Sequence, residues 1–451
     1  MESKLPKNWV ETELGEILKL KNGYAFKTKD YREEGIPLIR IGNIQQGNVS
    51  TKKSICVDKN DSAENFIIKK GDVLVAMSGA TTGKYGVFNE DIKVYQNQRV
   101  GNLKPLAPDL TSTNFIYYLL GGLQKEIEDK AYGGAQPNIS AKLIETIKIG
   151  FPPLAEQQRI VAKLDTLFGS LDALKIRLNN IPQLIKNFKQ AVLTQAVTGK
   201  LTQEWRVGKE LEEWEETELI NLILQKPRNG YSPPGVNYIT EVKSLSLSAT
   251  TSGKFNASKV KYLDIEKPKN DSHLWLKKGD ILIQRSNSLD YVGTSAIYDG
   301  EDDDFIYPDI MMKIQVNEKI DNSYMNYVLS SSKIRTYYKD NATGTAGNMP
   351  KINQVVVSNT PICYPPKEEQ TEIVKRVENL FSKADAIEKQ YKTLKEKIDR
   401  LPQAILAKAF KGELVAQLPT DGDAKDLLEE IKKLKESLVV KPKKKVVRNK
   451  K

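Results

Sequence analysis

Pro152-Pro153-Leu154-Ala155-Glu156-Gln157 opens a stretch that closes at Gly199-Lys200-Leu201. The same text returns 213 residues later as Pro365-Pro366-Lys367-Glu368-Glu369-Gln370, closing at Gly412-Glu413-Leu414. The shift is the same at both ends, so no gap intervenes. Inside the first copy, apolar residues fall at Leu164, Leu167, Leu171, Leu174, Leu178, Ile181, Ile185, Phe188 and Val192. The second copy has them at Val377, Leu380, Ala384, Ile387, Tyr391, Leu394, Ile398, Leu401 and Ile405. Steps alternating between three and four are the seam spacing of a coiled coil. Two seams of matching length on one chain predict burial against each other. Each segment of about forty residues would span roughly 60 Å as a helix. Pro182 and Pro402 interrupt the copies at non-equivalent places, so a kink or short break is expected at each.

Outward from these segments the chain also repeats, with a drifting register. Trp9-Val10-Glu11-Thr12-Glu13-Leu14 matches Trp214-Glu215-Glu216-Thr217-Glu218-Leu219 at a shift of 205. Lys70-Gly71-Asp72-Val73-Leu74-Val75 matches Lys278-Gly279-Asp280-Ile281-Leu282-Ile283 at 208, each read as a turn feeding a buried strand. Phe115–Leu120 matches Tyr324–Leu329 at 209, each read as a short helix. A drifting register with poor identity implies two domains of one fold with different surfaces, whereas a frozen register implies a shared mechanical part. The predicted fold class is α+β: two similar mixed α/β domains separated by two long helices that pair as an antiparallel coiled coil with pseudo-twofold symmetry. The expected boundaries are 1–151 for the first domain, 152–205 for the first helical spacer and 206–364 for the second domain. Residues 365–416 form the second spacer and 417–451 a C-terminal helix and basic tail. Leu427, Leu428, Ile431, Leu434 and Leu438 line one side of that last helix, expected over about 423–439 and read as packing on the body.

Composition bounds the function. A chain of 451 residues, 39% hydrophobic and 28% charged, suits two or three globular domains. No apolar run approaches membrane-spanning length, so the chain is expected to be cytoplasmic and without a membrane partner. Of the net charge of +11, seven units come from Lys and Arg within Lys441–Lys451, leaving +4 for the body. That balance permits nucleic-acid binding without proving it. Cys56 and Cys363 make no metal-ligand spacing, and the lone histidine, His273, removes His-based triads and most zinc sites. Gly83-Lys84-Tyr85, Gly199-Lys200-Leu201 and Gly253-Lys254-Phe255 all fail as phosphate-binding loops. The Pro-Pro pairs follow Phe151, Ser232 and Tyr364 rather than the Asn or Asp of an amino-methyltransferase. Pro308-Asp309 lacks the acid-x-Lys strand of a restriction-type nuclease downstream, and Glu241-x-Lys243 lies upstream of it. The chain reads as non-catalytic, with no metal and no cofactor of its own.

The doubled Pro-Pro-x-x-Glu-Gln-x-x-Ile-Val motif, each copy followed by a heptad segment and Gly-x-Leu, resembles the specificity subunit of type I restriction-modification systems. Further marks are Ser78-Gly79-Ala80-Thr81-Thr82-Gly83-Lys84 with Gln136-Pro137-Asn138-Ile139, and Arg285-Ser286-Asn287-Ser288 with Met349-Pro350-Lys351-Ile352. The resemblance implies that each variable domain is a target-recognition domain reading one half of an asymmetric, interrupted site in double-stranded DNA. It implies that the heptad segments pair and fix the distance between the domains, so that one added heptad moves a half-site by about 10 Å, or roughly three base pairs. It implies methyltransferase (modification) subunits as partners, two by the symmetry, together with restriction/translocase subunits. The cofactors S-adenosylmethionine, ATP and Mg would belong to those partners, the product being adenine-N6 methylation.

Base edges need Arg, Asn, Gln, Ser or Thr on loops, and phosphates need Lys, Arg and backbone amides. In the first domain the expected DNA-binding residues are Ser78, Thr81, Thr82, Lys84, Gln96, Asn97, Gln98 and Arg99. In the second they are Arg285, Ser286, Asn287, Ser288, Thr345, Asn348 and Lys351. Against this, Gly/Ser/Asn-rich loops are commonly no more than solvated turns. Tyr24 and Phe26 read as core aromatics. Glu156, Gln157, Glu369 and Gln370 read as first-turn residues that suit the helix dipole, with a grip on the methyltransferase as the sharper alternative. The competing class is a scaffold whose coiled coil spaces two protein-binding domains; a self-sufficient nuclease or methylase lacks its motifs.

Overall fold

In the computed structural model, which describes residues 5–45, 47–131, 137–344 and 349–439, Lys70-Gly71-Asp72 turns into the strand Val73–Ala76, whose four residues are all buried. Gly71 takes φ +89°, a conformation only glycine adopts freely, and Asp72 closes the turn by accepting from the Lys69 amide at 2.9 Å. Side chains of a strand alternate between faces. Val73 and Val75 accordingly join Phe115, Ile116, Leu119 and Leu120 of the helix Thr113–Ala131, while Leu74 and Ala76 join Ile39, Ile44, Val49, Phe88 and Val94. This strand lies third in a six-stranded sheet, antiparallel to both Val100–Pro105 and Tyr85–Phe88. A five-stranded sheet covers the second face, and its Val94–Gln96 pairs parallel to Ile36–Ile39.

The same device is built a second time. Gly279 takes φ +94°, Asp280 accepts from the Lys277 amide at 2.8 Å, and Ile281–Gln284 follows with four buried residues. Ile281 and Ile283 face Tyr324, Met325, Val328 and Leu329 of the helix Asn322–Ser330; Leu282 faces Leu245, Leu276, Tyr298 and Tyr307. Each turn acid also meets a lysine of the neighbouring strand, Asp72 with Lys104 and Asp280 with Lys313, the second pair at 3.2 Å. Here the sheet has four strands, Ile281–Gln284 lying between Met311–Ile314 and Ser295–Ile297. In both cases the first and last strands of the domain pair antiparallel: Val10–Glu13 with Lys148–Phe151, and Glu215–Glu218 with Pro361–Tyr364.

The described chain divides into Met1–Arg177 with Leu394–Lys451, and Leu178–Thr393, a division that falls within the long helices. In the first unit Ile160 and Leu164 of the helix Leu154–Asn179 are buried with Leu406 and Ala409 of the helix Lys367–Phe410. In the second, Val192, Leu193 and Ala196 of the helix Ile181–Val197 are buried with Ile373 and Val377. Lys189 meets Asp385 at 2.6 Å, and Arg376 donates to the Leu201 carbonyl at 2.7 Å. One partner number rises as the other falls, so the pairing is antiparallel.

The seam departs from the expected pattern in a regular way. In the first unit Leu164, Leu171 and Ile398 are buried and Leu167 half-buried, but Leu174 and Leu394 are exposed. In the second unit Leu178, Ile185 and Val377 are buried and Ile181, Leu380 and Tyr391 half-buried, but Ile387 is exposed. The first helix buries Leu164, Leu171, Leu178, Ile185 and Val192, one residue per heptad, and leaves the next seam position half-buried or exposed. The chain breaks at one of the two prolines. At Pro182 a new helix begins after Asn180, with proline in its first turn, where its missing N–H costs nothing. Pro402 sits inside the unbroken helix Lys367–Phe410, held between buried Ile398 and Leu406. The C-terminal helix Ala424–Val439 buries Leu428 and Ile431 in the first unit's core; Leu434 is exposed, and the basic tail lies outside the described residues. Among the described residues no helix is long and apolar enough to cross a membrane.

Leu164→Ala removes a side chain that is 0% exposed and is expected to cost about 2–5 kcal/mol in urea unfolding. Leu174→Ala, at the neighbouring but exposed seam position, is expected to stay within about 0.5 kcal/mol.

Candidate nucleic-acid interface

In the first unit, the end of the central strand runs into the turn Ser78–Lys84, and backbone contacts tie three further segments to it. Met77 donates to the Arg99 carbonyl at 3.0 Å, Ile139 to Met77 at 2.9 Å, and Gly79 to Pro137 at 2.9 Å. Tyr24 donates to Gln96 at 2.8 Å. Gly23 permits that approach, since a Cβ there would lie 2.2 Å from the Gln96 oxygen. Four chain segments thus converge on one polar edge. Lys84, Gln98 and Arg99 project from it, exposed. Ser78 Oγ and Thr81 Oγ1 are buried atoms with no hydrogen-bond partner among the described residues. Buried polar atoms are nearly always paired, so these two hydroxyls have room in their bonding for an ordered water.

Three of the expected DNA-facing residues turn inward instead. Gln96 is 2% exposed, and its amide donates to the carbonyls of Lys21 and Val100 at 2.8 and 2.7 Å. Asn97 is 7% exposed and accepts from the Arg99 amide, and Thr82 donates to the Gly79 carbonyl at 2.7 Å. Each uses part of its side chain to hold the edge in shape: the Gln96 amide nitrogen, the Asn97 carbonyl oxygen and the Thr82 hydroxyl. Phe26 is buried and edge-on to half-buried Tyr24 at 4.9 Å, as a core aromatic.

The second unit repeats the convergence with other side chains. Arg285 donates from its backbone to Ile310 at 2.9 Å, Ile352 to Arg285 at 2.9 Å, Asn287 to Pro350 at 3.3 Å, and Tyr231 to Tyr307 at 2.9 Å. Gly230 stands where Gly23 does, a Cβ there falling 2.0 Å from the Tyr307 oxygen. Ser288 and Lys351 are exposed and Arg285 half-buried, its Nε buried and unpartnered among the described residues. Ser286 is 3% exposed and bridges to Lys351 through its backbone, and Asn287 Nδ2 is occupied by Gln284 at 2.8 Å; neither offers its side chain outward. Thr345 and Asn348 lie outside the described residues. Arg335 fixes the turn by donating to the carbonyls of Val292 and Asp290 at 2.5 and 2.9 Å, and burial draws its guanidinium below the usual range. The shared Asn-Gly-Tyr at 22–24 and 229–231 is the sequence signal that would have found this part of the edge.

Each domain is anchored to the start of its helix by an indole that donates to a buried carboxylate. Trp9 Nε1 donates to Glu156 at 2.9 Å and Trp214 Nε1 to Glu369 at 3.2 Å, both carboxylates being fully buried. Gln157 donates to the Pro152 carbonyl at 3.0 Å and Gln370 to that of Pro365 at 2.9 Å, bracing the Pro-Pro entry. These four residues face inward and cannot grip another subunit. The two locks differ in charge. Glu369 has the Arg206 guanidinium and accepts from Thr202 Oγ1 at 2.6 Å. Glu156 has neither: Arg159 is held by Asp421 at 2.6 Å, and Glu156 Oε1 and Asn8 Oδ1 are buried without partners among the described residues. Burial pushes the Glu156 carboxyl above its ordinary value, while Arg159 holds that of Asp421 below it.

Residues 6–183 and 237–396 match the family model described as the type I restriction modification DNA specificity domain. The chain is 31% identical to the specificity subunit of the type I restriction enzyme EcoKI of Escherichia coli K12, over 95% of this chain and 96% of that one. It is 31% identical to the StySPI specificity subunit of Salmonella potsdam, over 92% and 91%. Among solved structures, the HsdS subunit from Thermoanaerobacter tengcongensis superposes with a TM-score of 0.57 at 18% identity, over 91% of this chain and 99% of that one. A chain from a structure of type I R-M complex assembly and conformational transition gives 0.65, also at 18% identity and the same coverages.

The two locks are expected to respond differently to one change. Glu369→Gln leaves Arg206 without its anion and should cost about 3 kcal/mol in denaturant unfolding. Glu156→Gln removes an unneutralised carboxylate, keeps an acceptor for Trp9 and supplies a donor for Asn8, and should stay within about 0.5 kcal/mol of the parent or exceed it. A raised folded pKa favours the fold at low pH, and that contribution is lost as pH rises through the folded value. Glu156→Gln should therefore flatten the decline in stability above the ordinary glutamate range, read by tryptophan fluorescence across pH.

Proposed function

The chain belongs to the type I restriction modification DNA specificity family, and we propose that its two units each read one half of an asymmetric, two-part DNA site on behalf of partner enzymes. Its role is that of the DNA specificity subunit, a component without catalytic activity of its own. Its partners are DNA and the methyltransferase and restriction subunits. Two methyltransferase subunits per chain is the stoichiometry that the doubled architecture favours. In this reading S-adenosylmethionine, ATP and Mg are held by the partners, and the assembly works in the cytoplasm.

The observation that carries the reading is the doubled polar edge: one backbone construction, made twice, displaying Lys84, Gln98 and Arg99 in one unit and Arg285, Ser288 and Lys351 in the other. An identical scaffold under different side chains suits two readers of different sequences, unlike the palindrome a homodimer reads. Exposed Lys84, Arg99 and Lys351 serve phosphates, and Arg285 and the shorter polar groups serve base edges.

The test is to map methylated adenines in cells carrying the methyltransferase with and without this chain. A two-part motif with one methylated adenine in each half, on opposite strands, is expected only when the chain is present. A pattern that does not depend on the chain overturns the proposal. In binding to duplex DNA, replacing both Lys84 and Arg99 by Ala should weaken affinity across sequences. It should also reduce the slope of log K against log salt by about 1.8 if both cations meet phosphates.

A further inference from the structure

The second unit's edge carries an exposed carboxylate, Asp309, where the first unit has neutral Gln98. The equivalence follows from the backbone: Tyr307 receives the Tyr231 amide as Gln96 receives that of Tyr24, and Ile310 receives Arg285 as Arg99 receives Met77. Ser232 holds Asp309 in place. Its hydroxyl donates to Oδ1 at 2.5 Å and accepts from the Asp309 amide at 2.9 Å. Arg285 lies alongside, its Nη1 donating to the Asp309 carbonyl oxygen at 3.4 Å, while no ion pair joins the two side chains. A cation and an anion therefore share one strand end without neutralising each other, next to Tyr231, which is 50% exposed.

On a surface that meets DNA, phosphates repel a fixed carboxylate, so electrostatics alone gives no reason to place one there. In the major groove a carboxylate finds one kind of partner, an exocyclic amino group on cytosine N4 or adenine N6. On adenine the neighbouring N7 is an acceptor and would face the second carboxylate oxygen. Cytosine offers no acceptor of its own in that groove, and its paired guanine presents O6 and N7, the atoms an arginine reads. The unpaired carboxylate and guanidinium match the donor and acceptors of one cytosine–guanine pair.

We infer that Asp309 is a specificity-determining residue of the second unit, accepting a hydrogen bond from cytosine N4 in the major groove beside a guanine met by Arg285. The inference rests on the reading of that unit as a half-site reader. Ser232 fixes the carboxylate before DNA arrives, so little side-chain freedom is lost on contact.

The experiment uses the full chain with its methyltransferase, mapping methylated adenines for the parent, Asp309→Asn and Asp309→Ala. Both variants are expected to relax a cytosine requirement at one position of one half-site, with discrimination falling about ten- to hundredfold. The other half and the gap should stay unchanged. Binding to random duplex at low salt should be retained or strengthened, because a negative charge has gone and the edge remains folded. Undiminished discrimination in both variants overturns the inference and leaves the two-part reading standing. So does a change at a base other than cytosine, or an equal loss in both halves. A parent that writes no two-part motif overturns the function itself, and the inference with it.

Discussion

The contact on which each domain depends is a tryptophan indole donating to a buried glutamate in the first turn of a long helix. Trp9 and Glu156 are 147 residues apart, and Trp214 and Glu369 are 155 apart, so each contact joins the start of a domain to the helix that follows its end. Burying a carboxylate is costly unless it is hydrogen-bonded, and the indole N–H answers part of that cost in both places. The second lock adds a full ion pair through Arg206, whereas the first has no ion pair of its own, Arg159 being paired with Asp421. Two copies of one arrangement have thus reached different electrostatic solutions with the same geometry.

From that anchorage the domains are free to differ. Both place a four-residue buried strand at the centre, entered through a glycine turn closed by an aspartate, and both gather four chain segments at its end. Around this frame the first domain has six- and five-stranded sheets, and the second has a four-stranded sheet with a separate two-stranded one. What is held constant is backbone geometry; what varies is the side chain displayed, with Gln98 against Asp309 as the clearest case.

Much of the plan was legible because repetition is a signal independent of secondary-structure propensity. The frozen 213-residue shift located the helices, and the Trp-containing and Gly-Asp strand repeats located the entry and centre of each domain. Individual side chains were less legible. Gln96 and Asn97 look like base readers in sequence, but the strand end turns them toward the carbonyls of Lys21 and Val100 and the amide of Arg99. The heptad pattern names two apolar positions per seven residues but cannot say that Leu174, Ile387 and Leu394 fall on the flank. Pro402 allows a kink or a break in the sequence, and the helix runs through it without a break, with Ile398 and Leu406 buried a turn to either side. The glutamates of the Pro-Pro motif could not be assigned because their partners lie about 150 residues away.

The pairing of each domain's opening strand with its closing strand, Val10–Glu13 with Lys148–Phe151 and Glu215–Glu218 with Pro361–Tyr364, has an evolutionary corollary. A module whose two ends are zipped side by side can be exchanged as a cassette, provided that its inner residues keep the few contacts made with the helix, such as Tyr118 on Phe168 and Tyr327 on Phe381. New target preferences can then arise by recombination at these borders, without redesign of the machinery they serve.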